Sequence, residues 1–279
     1  MTSPGPMPRA LPRRLLPALA AGLFAAPHAR AAGEAPGAAT GALGRILRSG
    51  IVRIGVWLEA PPWGSYDHDG TPDGAEVALA RLLARDLGVR LRLQRLEVRD
   101  RIPALQEDRV DILAALVPVV PATRRHVAFA SPHGELSVAV ATRRASPVRS
   151  LADLAGLRVA LPDNTFAAEE ARTMLPPDTT QLLLPGLVAC IDATAHGRAD
   201  AAVSYGWLLR DLSLSRPELD IEPRFTVSHA HHALAMRLGE PDLLRFVNTF
   251  LYLRGADGTL AEIHERYLRG TPDVGPVFR

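Results

Sequence analysis

A loop rich in aromatic side chains follows the first apolar segment of the chain. Trp57, Glu59, Trp63 and Tyr66 come directly after Ile51–Val56, a run of β-branched residues that predicts a buried strand. Indole and phenol faces bind apolar surface and organic cations, and a carboxylate binds cations. In a parallel α/β sheet, ligands bind just beyond the carboxyl ends of the strands. The loop is therefore a candidate ligand-facing segment.

Motifs of common enzymes and cofactor sites are missing from the sequence. It contains no Gly-x-Ser-x-Gly nucleophile motif, no Gly-rich phosphate loop and no zinc-protease helix. The stretch Asp67–Gly70, DHDG, resembles the start of a calcium loop but lacks the glutamate at its twelfth position. We therefore expect no cofactor and no bound calcium.

Charge and cysteine content narrow the function classes further. The 279 residues include 32 basic and 30 acidic ones, a net charge of +2, and there is no lysine. Four of the arginines precede residue 33, so the remaining chain carries 28 basic against 30 acidic residues, or −2. This balance gives no reason to expect a nucleic-acid partner. Cys190 is the single cysteine and lies in an apolar helical pattern, so we expect it in the core, with no disulfide and no thiolate metal cluster.

The first residues have the pattern of an export signal. A basic start that includes Arg13 and Arg14 precedes Leu15–Ala26, an apolar run too short to span a bilayer comfortably. Ala29 and Ala31 then supply the small residues of a signal peptidase site. We predict a cleavable secretory signal over residues 1–32 and a periplasmic location; the general secretory and twin-arginine routes both remain open.

The rest of the chain alternates predicted strands and helices, which favours a mainly parallel α/β fold. Helical apolar spacing covers Ala75–Leu87, and strands are predicted over 90–96 and 111–117. The chain then crosses near residues 133–138 into a second α/β unit and crosses back near 226–236. Two lobes joined by two strands form a hinge with a cleft between them.

The segment Ser228–His232, SHAHH, is a candidate metal-binding motif. His229 and His231 would lie on one face of a strand. No acidic residue or cysteine stands beside them in the sequence, and the segment falls on the return crossover. We therefore expect hinge or surface histidines and no bound metal.

Eight segments of the chain, in the right order, resemble the family 3 extracellular solute-binding proteins, the amino-acid-type binding proteins of ABC importers. The segments are RSGIVRIGV, APPW, DGTPDGAEVALARLLARDLGV, IPALQEDRVDILAA, RRHVAFASP, SLADLAGLRVALPDNT, GRADAAV and DGTLAEIHERYL. They extend over nearly the whole chain after the signal.

The resemblance implies a two-lobed periplasmic-binding-protein fold of type II, with two α/β lobes and a two-strand hinge. Lobe 1 would comprise residues 33–135 and 230–279, and lobe 2 residues 136–229. The protein would be a monomer that encloses a small-molecule solute and presents it to an ABC permease in the inner membrane, without cofactor or metal.

The resemblance also implies a set of ligand-binding positions that line both sides of the cleft. These are Trp57, Glu59, Trp63, Val117, Pro118, Val120, Thr123, Arg124, Asn164, Thr165 and Tyr205.

Several of these positions depart from the pattern of α-amino-acid binders. The family's carboxylate-binding arginine falls on Thr123, with Arg124 one residue later. The acid that holds the ligand's ammonium falls on Tyr205, and another acidic position falls on Trp57. We therefore predict a ligand that is not a standard α-amino acid, either with an apolar or aromatic surface or a bulky organic cation near Glu59.

Two other functions remain possible for the same fold. The chain could be a periplasmic accessory or sensor protein that serves a partner such as a dehydrogenase. It could also be an enzyme similar to cyclohexadienyl dehydratase. Glu59 and His133 are the acid–base candidates near the cleft, and we expect neither to be paired. We therefore predict that the protein is not an enzyme.

Overall fold

The computed structural model describes residues 41–268; the predicted signal over residues 1–32 lies outside this range. The helices are α1 (Gly41–Ser49), α2 (Ala75–Asp86), α3 (Arg101–Gln106), α4 (Phe166–Met174), α5 (Leu187–Ala195), α6 (Gly206–Ser215), α7 (Pro241–Ala256) and α8 (Thr259–Tyr267). The strands are β1 (Ile51–Val56), β2 (Ser65–Tyr66), β3 (Pro72–Asp73), β4 (Arg90–Arg95), β5 (Ile112–Pro118), β6 (Ala128–Phe129), β7 (Gly134–Arg143), β8 (Arg158–Pro162), β9 (Thr180–Leu184), β10 (Ala201–Tyr205) and β11 (Ile221–Met236). Within the described range, no helix combines the length and the apolar character needed to cross a bilayer.

Nine strands form one sheet in the order β4-β1-β5-β11-β7-β10-β8-β9, with β6 paired to β11. The strands β4, β1 and β5 are parallel to one another, and so are β10, β8 and β9. We call the parts of the sheet around these two parallel groups the first half and the second half. The predicted alternation of strands and helices thus gives two parallel α/β halves.

Burial follows the position of each strand in the sheet. Every residue of β5 and of β10 is buried, as expected for inner strands covered on both faces. The outer strands β4 and β9 keep exposed polar residues, including Arg90, Arg92 and Gln181. Charged side chains on an edge strand discourage pairing with other chains.

The long strand β11 joins the two halves. Its first part pairs antiparallel with β7 from Ile221 to His232, and its last part pairs with β5 from His232 to Met236. The predicted return crossover near 226–236 is therefore a strand, and it begins earlier, at Ile221. Register shifts on both sides of Phe225 accommodate Pro223, which cannot donate a ladder hydrogen bond.

The aromatic loop after β1 packs across the boundary between the halves. Trp57 and Trp63 belong to the apolar cluster that is centred on β7, β8 and β10, together with Tyr205. Other core residues of the first half, such as Ile54, form a separate cluster with α1, α2 and α7, and a third cluster surrounds Leu113. The lobe boundaries at 135–136 and 229–230 stay predictions.

Candidate functional site

The first half presents Trp63 from a tight turn. The backbone N–H of Trp63 donates to the Ala60 carbonyl (2.8 Å), and its own carbonyl accepts from the N–H of Glu76 (2.9 Å). Glycine is required at Gly64, because a Cβ there would lie 2.1 Å from the Trp57 carbonyl oxygen. Trp63 is 2% exposed, so the turn holds its indole in a buried position.

Arg101, at the start of α3, is a buried cation beside Trp57. Its Nη1 donates to the carbonyls of Ala115 and Leu116 (3.1 Å for Leu116), and its Nε donates to the Val98 carbonyl (3.1 Å). The guanidinium carbon lies 5.6 Å from the centroid of the Trp57 ring, a cation–π contact. Burial lowers the pKa of Arg101 to about 10, so it stays charged at neutral pH. No carboxylate among the described residues forms an ion pair with it.

The carbonyl of Leu116 reaches Arg101 because the backbone is unusual there. Leu116 has a φ of +52°, a left-handed conformation that costs free energy for a bulky side chain. The register between β5 and β11 shifts at this point, between Ala233 and Ala235. The end of β5 is thus bent so that its carbonyls face the guanidinium.

The second half presents Tyr205 at the end of β10. Its ring is 3% exposed and stacks on Trp207, with centroids 5.9 Å apart and planes 10° from parallel. Burial raises the pKa of the Tyr205 phenol to about 12, while the charge of Arg101 and the backbone N–H of Ala167 favour the ionised form. At neutral pH Tyr205 therefore faces Arg101 as a neutral ring.

The Asn164–Thr165 turn begins α4. The Thr165 hydroxyl accepts from the Ala168 N–H (3.2 Å) and donates to the Pro162 carbonyl (2.8 Å), so it caps the helix. Asn164 is exposed, and its Nδ2 donates to Asp163 Oδ2 (2.8 Å). The buried Thr165 hydroxyl is thus already engaged within the chain.

The predicted positions after β5 form a turn of their own. The Thr123 hydroxyl donates to the Pro118 carbonyl (2.6 Å), and the Val120 N–H contacts the same hydroxyl (3.3 Å). Val117 and Pro118 are buried, whereas Arg124 is exposed on the 3₁₀ turn Thr123–Arg125. The structure therefore brings Trp57, Trp63 and Tyr205 together and leaves Arg124 outside them.

The prediction that Glu59 and His133 are unpaired is wrong. Glu59 forms a salt bridge with Arg95 (2.6 Å) at the surface, and Arg95 also pairs with Glu97 (2.8 Å). His133 is buried, and its Nε2 lies 3.1 Å from Glu76 Oε1. Neither residue is thus an isolated acid or base.

A cavity of about 540 Å³ opens between Trp63 and the β7–β11 pair. It is also lined by Glu135, Trp207 and Arg224. The Arg224 guanidinium is engaged by the Thr142 hydroxyl (2.7 Å), by backbone carbonyls of the 143–146 turn and by Glu222 (3.0 Å). The cavity thus offers aromatic surface and a carboxylate next to an arginine that is already paired.

Sequence reasoning missed Arg101 and Glu76, although helical spacing contained a signal for both. Arg101 precedes Leu105 by four positions, and Glu76 precedes Leu79 by three, so each charged residue shares a face with buried leucines. A charge on an apolar helix face indicates either a buried partner or a binding role.

Comparison with known proteins gives the family. The sequence model of the bacterial extracellular solute-binding proteins, family 3, matches residues 52–270. The L-cystine-binding protein TcyJ of Escherichia coli is 23% identical over 229 residues, which cover 81% of this chain and 86% of TcyJ. The virulence sensor protein BvgS of Bordetella bronchiseptica is 25% identical over 162 residues, 57% of this chain. The matched part spans only 13% of that sensor.

Solved structures confirm the predicted two-lobed α/β fold class. The cysteine-binding protein from Campylobacter jejuni superposes with a TM-score of 0.76 at 25% identity, covering 84% of this chain and 96% of that one. The ancestral amino acid-binding protein AncCDT-1, described as a precursor of cyclohexadienyl dehydratase, gives a TM-score of 0.75 at 25% identity. That alignment covers 82% of this chain and all of AncCDT-1.

Proposed function

Because the chain belongs to the bacterial extracellular solute-binding proteins of family 3, we propose that it is a periplasmic binding protein of an ABC importer. It captures a small organic solute between its two α/β halves and delivers it to the permease. The predicted signal peptide and the likeness to the E. coli cystine-binding protein support this role.

The buried guanidinium of Arg101 carries the proposal for the ligand. It lies against Trp57 and interacts electrostatically with Tyr205, a residue of the other half. No carboxylate of the described residues lies in ion-pair range of it, although the more distant charge of Glu76 favours its ionised form. An anionic ligand group would offset the remaining cost of burying this charge. A carboxylate suits it best, because a guanidinium binds carboxylate oxygens through two parallel hydrogen bonds.

The residues around Arg101 disfavour the zwitterion of a standard α-amino acid. An ammonium group needs a carboxylate, but the second half supplies the neutral ring of Tyr205 at the implied position. Glu59 is already paired with Arg95, and a bulky cation on Trp57 would be repelled by Arg101. The ligand we propose is therefore an organic carboxylate with an apolar or aromatic body and no ammonium group.

Isothermal titration calorimetry with three matched compounds tests this ligand class. We expect 3-phenylpropionate to bind more tightly than its neutral amide by roughly 10- to 100-fold, the scale of one charged hydrogen-bonded contact. L-Phenylalanine, which adds the ammonium, should bind more weakly than the plain acid. Equal or tighter binding of L-phenylalanine, or of arginine or glutamine, would refute the ligand class and leave the family role intact.

A sensor or accessory role is the second candidate, and the likeness to the Bordetella virulence sensor favours it. In that role the closed form would bind another periplasmic protein instead of a permease. Reconstitution of ligand-loaded protein with the ABC permease encoded beside it, if there is one, separates the two. Stimulated ATP hydrolysis would support import, and a stable complex with a non-permease partner would support the sensor role.

A dehydratase role has less support, despite the description of AncCDT-1 as a dehydratase precursor. Such chemistry needs an acid or base free to act on the solute. His133 is buried against Glu76, and Glu59 is paired with Arg95. We therefore propose a binding protein and no enzymatic turnover, which incubation with prephenate and product analysis would test.

A further inference from the structure

A group of three buried side chains lies where the halves join, and it does not include Arg101, Trp57 or Tyr205. Glu76 stands in the first turn of α2, His133 just before β7, and His232 in β11. They are 3%, 7% and 0% exposed. Each comes from a different part of the chain, yet one ligand atom from each lies within 4.8 Å of the other two.

The distances within this group match those between ligands of one metal ion. Glu76 Oε1 lies 3.1 Å from His133 Nε2 and 3.0 Å from His232 Nδ1. Ligands about 2.0–2.1 Å from a tetrahedral zinc ion are about 3.3 Å apart. Glu76 Oε1 is thus close to one nitrogen of each imidazole at the same time.

Several polar atoms of the group are buried without a hydrogen-bond partner within the part of the chain described. They include Glu76 Oε2, His133 Nδ1 and both ring nitrogens of His232. Buried polar atoms in native proteins nearly always have a partner, and each exception calls for an explanation. A cation held by the Glu76 carboxylate and by His232 Nδ1 would supply one for Glu76 Oε2 and for His232 Nδ1, whereas His133 Nδ1 and His232 Nε2 are not the nitrogens nearest to Glu76.

A small cavity of about 10 Å³ touches the group. Trp63, Leu79, Leu260 and His264 are among the residues that line it, together with Glu76 and His133. This volume is about that of one probe sphere and suits a single water molecule or ion. His264, on α8, is half-buried and lines the same cavity.

We propose that Glu76, His133 and His232 bind one divalent transition-metal ion. Two imidazoles and one carboxylate form a ligand set that Zn²⁺ and its neighbours prefer, whereas Ca²⁺ and Mg²⁺ prefer oxygen ligands alone. Because β7 and β11 are the two strands that connect the halves, the ion would brace α2 against both connections.

The sequence motif at 228–232 thus contributes to a site in an unexpected way. His229 and His231 are exposed, and His229 contacts Glu135 at the surface. Only His232 points to the buried group, and its partners come from residues 76 and 133. The exposed pair provides a matched control, because it could bind a metal adventitiously at the surface.

Calorimetric titration of ZnCl₂ into the chelator-treated full chain, purified without a histidine tag, tests the proposal. We expect one ion per chain, and an affinity at least about tenfold weaker in Glu76→Gln, since even outer-shell changes cost 10–100-fold. The His229→Gln/His231→Gln double variant should bind like the unaltered chain. Unchanged affinity in Glu76→Gln, or loss in the double variant, would overturn the proposal and indicate an adventitious surface ion only.

Cobalt provides a second measurement that needs no variant in the buried group. Co²⁺ bound by two nitrogens and a carboxylate in a tetrahedral site absorbs visible light strongly, whereas octahedral surface Co²⁺ does so weakly. We expect the strong bands, with a stoichiometry of one, and their retention in the double variant. Weak octahedral bands alone would contradict the buried site even if Glu76→Gln failed to fold.

Discussion

Arg101 and Glu76 are two buried charges that begin neighbouring helices of the same half, and they meet opposite surroundings. Glu76 contacts two imidazoles of its own chain, and these keep its pKa below the usual range despite burial. Arg101 contacts backbone carbonyls and the face of Trp57, with no carboxylate of the described residues in ion-pair range. The difference separates a charge that stabilises the fold from one whose partner we propose to be the ligand.

Removing Glu76, the buried charge that has partners in its own chain, should have the largest effect on stability. Glu76→Ala leaves two buried imidazoles without the carboxylate that contacts them both, and losing two charged contacts at about 1.5–3 kcal/mol each costs about 3–6 kcal/mol. For a domain of this size the melting temperature should fall by roughly 10 °C. Denaturant unfolding in the presence of a chelator measures the loss without any contribution from metal.

The matched control is Glu262→Ala, an exposed glutamate on α8. It should change the free energy of unfolding by less than about 0.5 kcal/mol. If Glu76→Ala were as stable as this control, the contrast between the two buried charges would disappear.

Removing Arg101, the buried charge without an ion-pair partner among the described residues, should affect ligand binding more than stability. Arg101→Met removes the cost of a buried charge but leaves the backbone carbonyls that accept from Arg101 without this donor, so the two effects on stability oppose each other and a small net change is expected. Binding of an organic carboxylate should weaken by about 1.5–3 kcal/mol, the value of a charged hydrogen bond. Chemical unfolding and calorimetry on the same sample measure both quantities.

Arg99→Met is the control for this change, because Arg99 is exposed two residues away. It should leave both stability and binding as they are. A loss of several kcal/mol of stability in Arg101→Met, with unchanged binding, would make Arg101 a structural residue like Glu76.

Tyr205→Phe examines the side of the site opposite Arg101 and should have a smaller effect. The ring and its stack on Trp207 remain, while the Ala167 N–H loses the oxygen beside it. We expect a stability loss of about 1 kcal/mol. Carboxylate binding should change less than in Arg101→Met, since the proposed ligand contact there is the apolar ring. Titration of 3-phenylpropionate measures this, and a loss as large as in Arg101→Met would show that the hydroxyl binds the ligand.

Local patterns were sufficient to predict much of the fold. The strand Ile51–Val56 has the predicted bounds, and the helix predicted over Ala75–Leu87 ends only one residue earlier, because β-branched runs, glycine stops and apolar spacing all act within a few residues. The return strand was predicted too short, because Ile221 joins the sheet only through its pairing with Arg143, far away in sequence.

The site was harder to predict because its polar groups form hydrogen bonds within the folded chain, and these cannot be read from the sequence. The hydroxyls of Thr123 and Thr165 satisfy the backbone of their own turns. Arg101 is charged and was not among the predicted site residues, yet the bend at Leu116 provides carbonyls that stabilise it in the interior. Which arginine faces the interior depends on that tertiary bend.

Arg124→Ala should have the smallest effect of all, and it tests whether the family position or the buried position supplies the cation. Arg124 is exposed on the turn after β5, so its guanidinium is well hydrated and needs no partner. We expect stability and carboxylate binding within about 0.5 kcal/mol of the unaltered chain. Calorimetry with 3-phenylpropionate is the measurement, and Arg125→Ala is the matched control. A selective loss of 1.5–3 kcal/mol of binding in Arg124→Ala would mean that the turn swings inward when the solute is enclosed. In that case Arg124, as the sequence predicted, would be the ligand's partner, and Arg101 would have only a structural role.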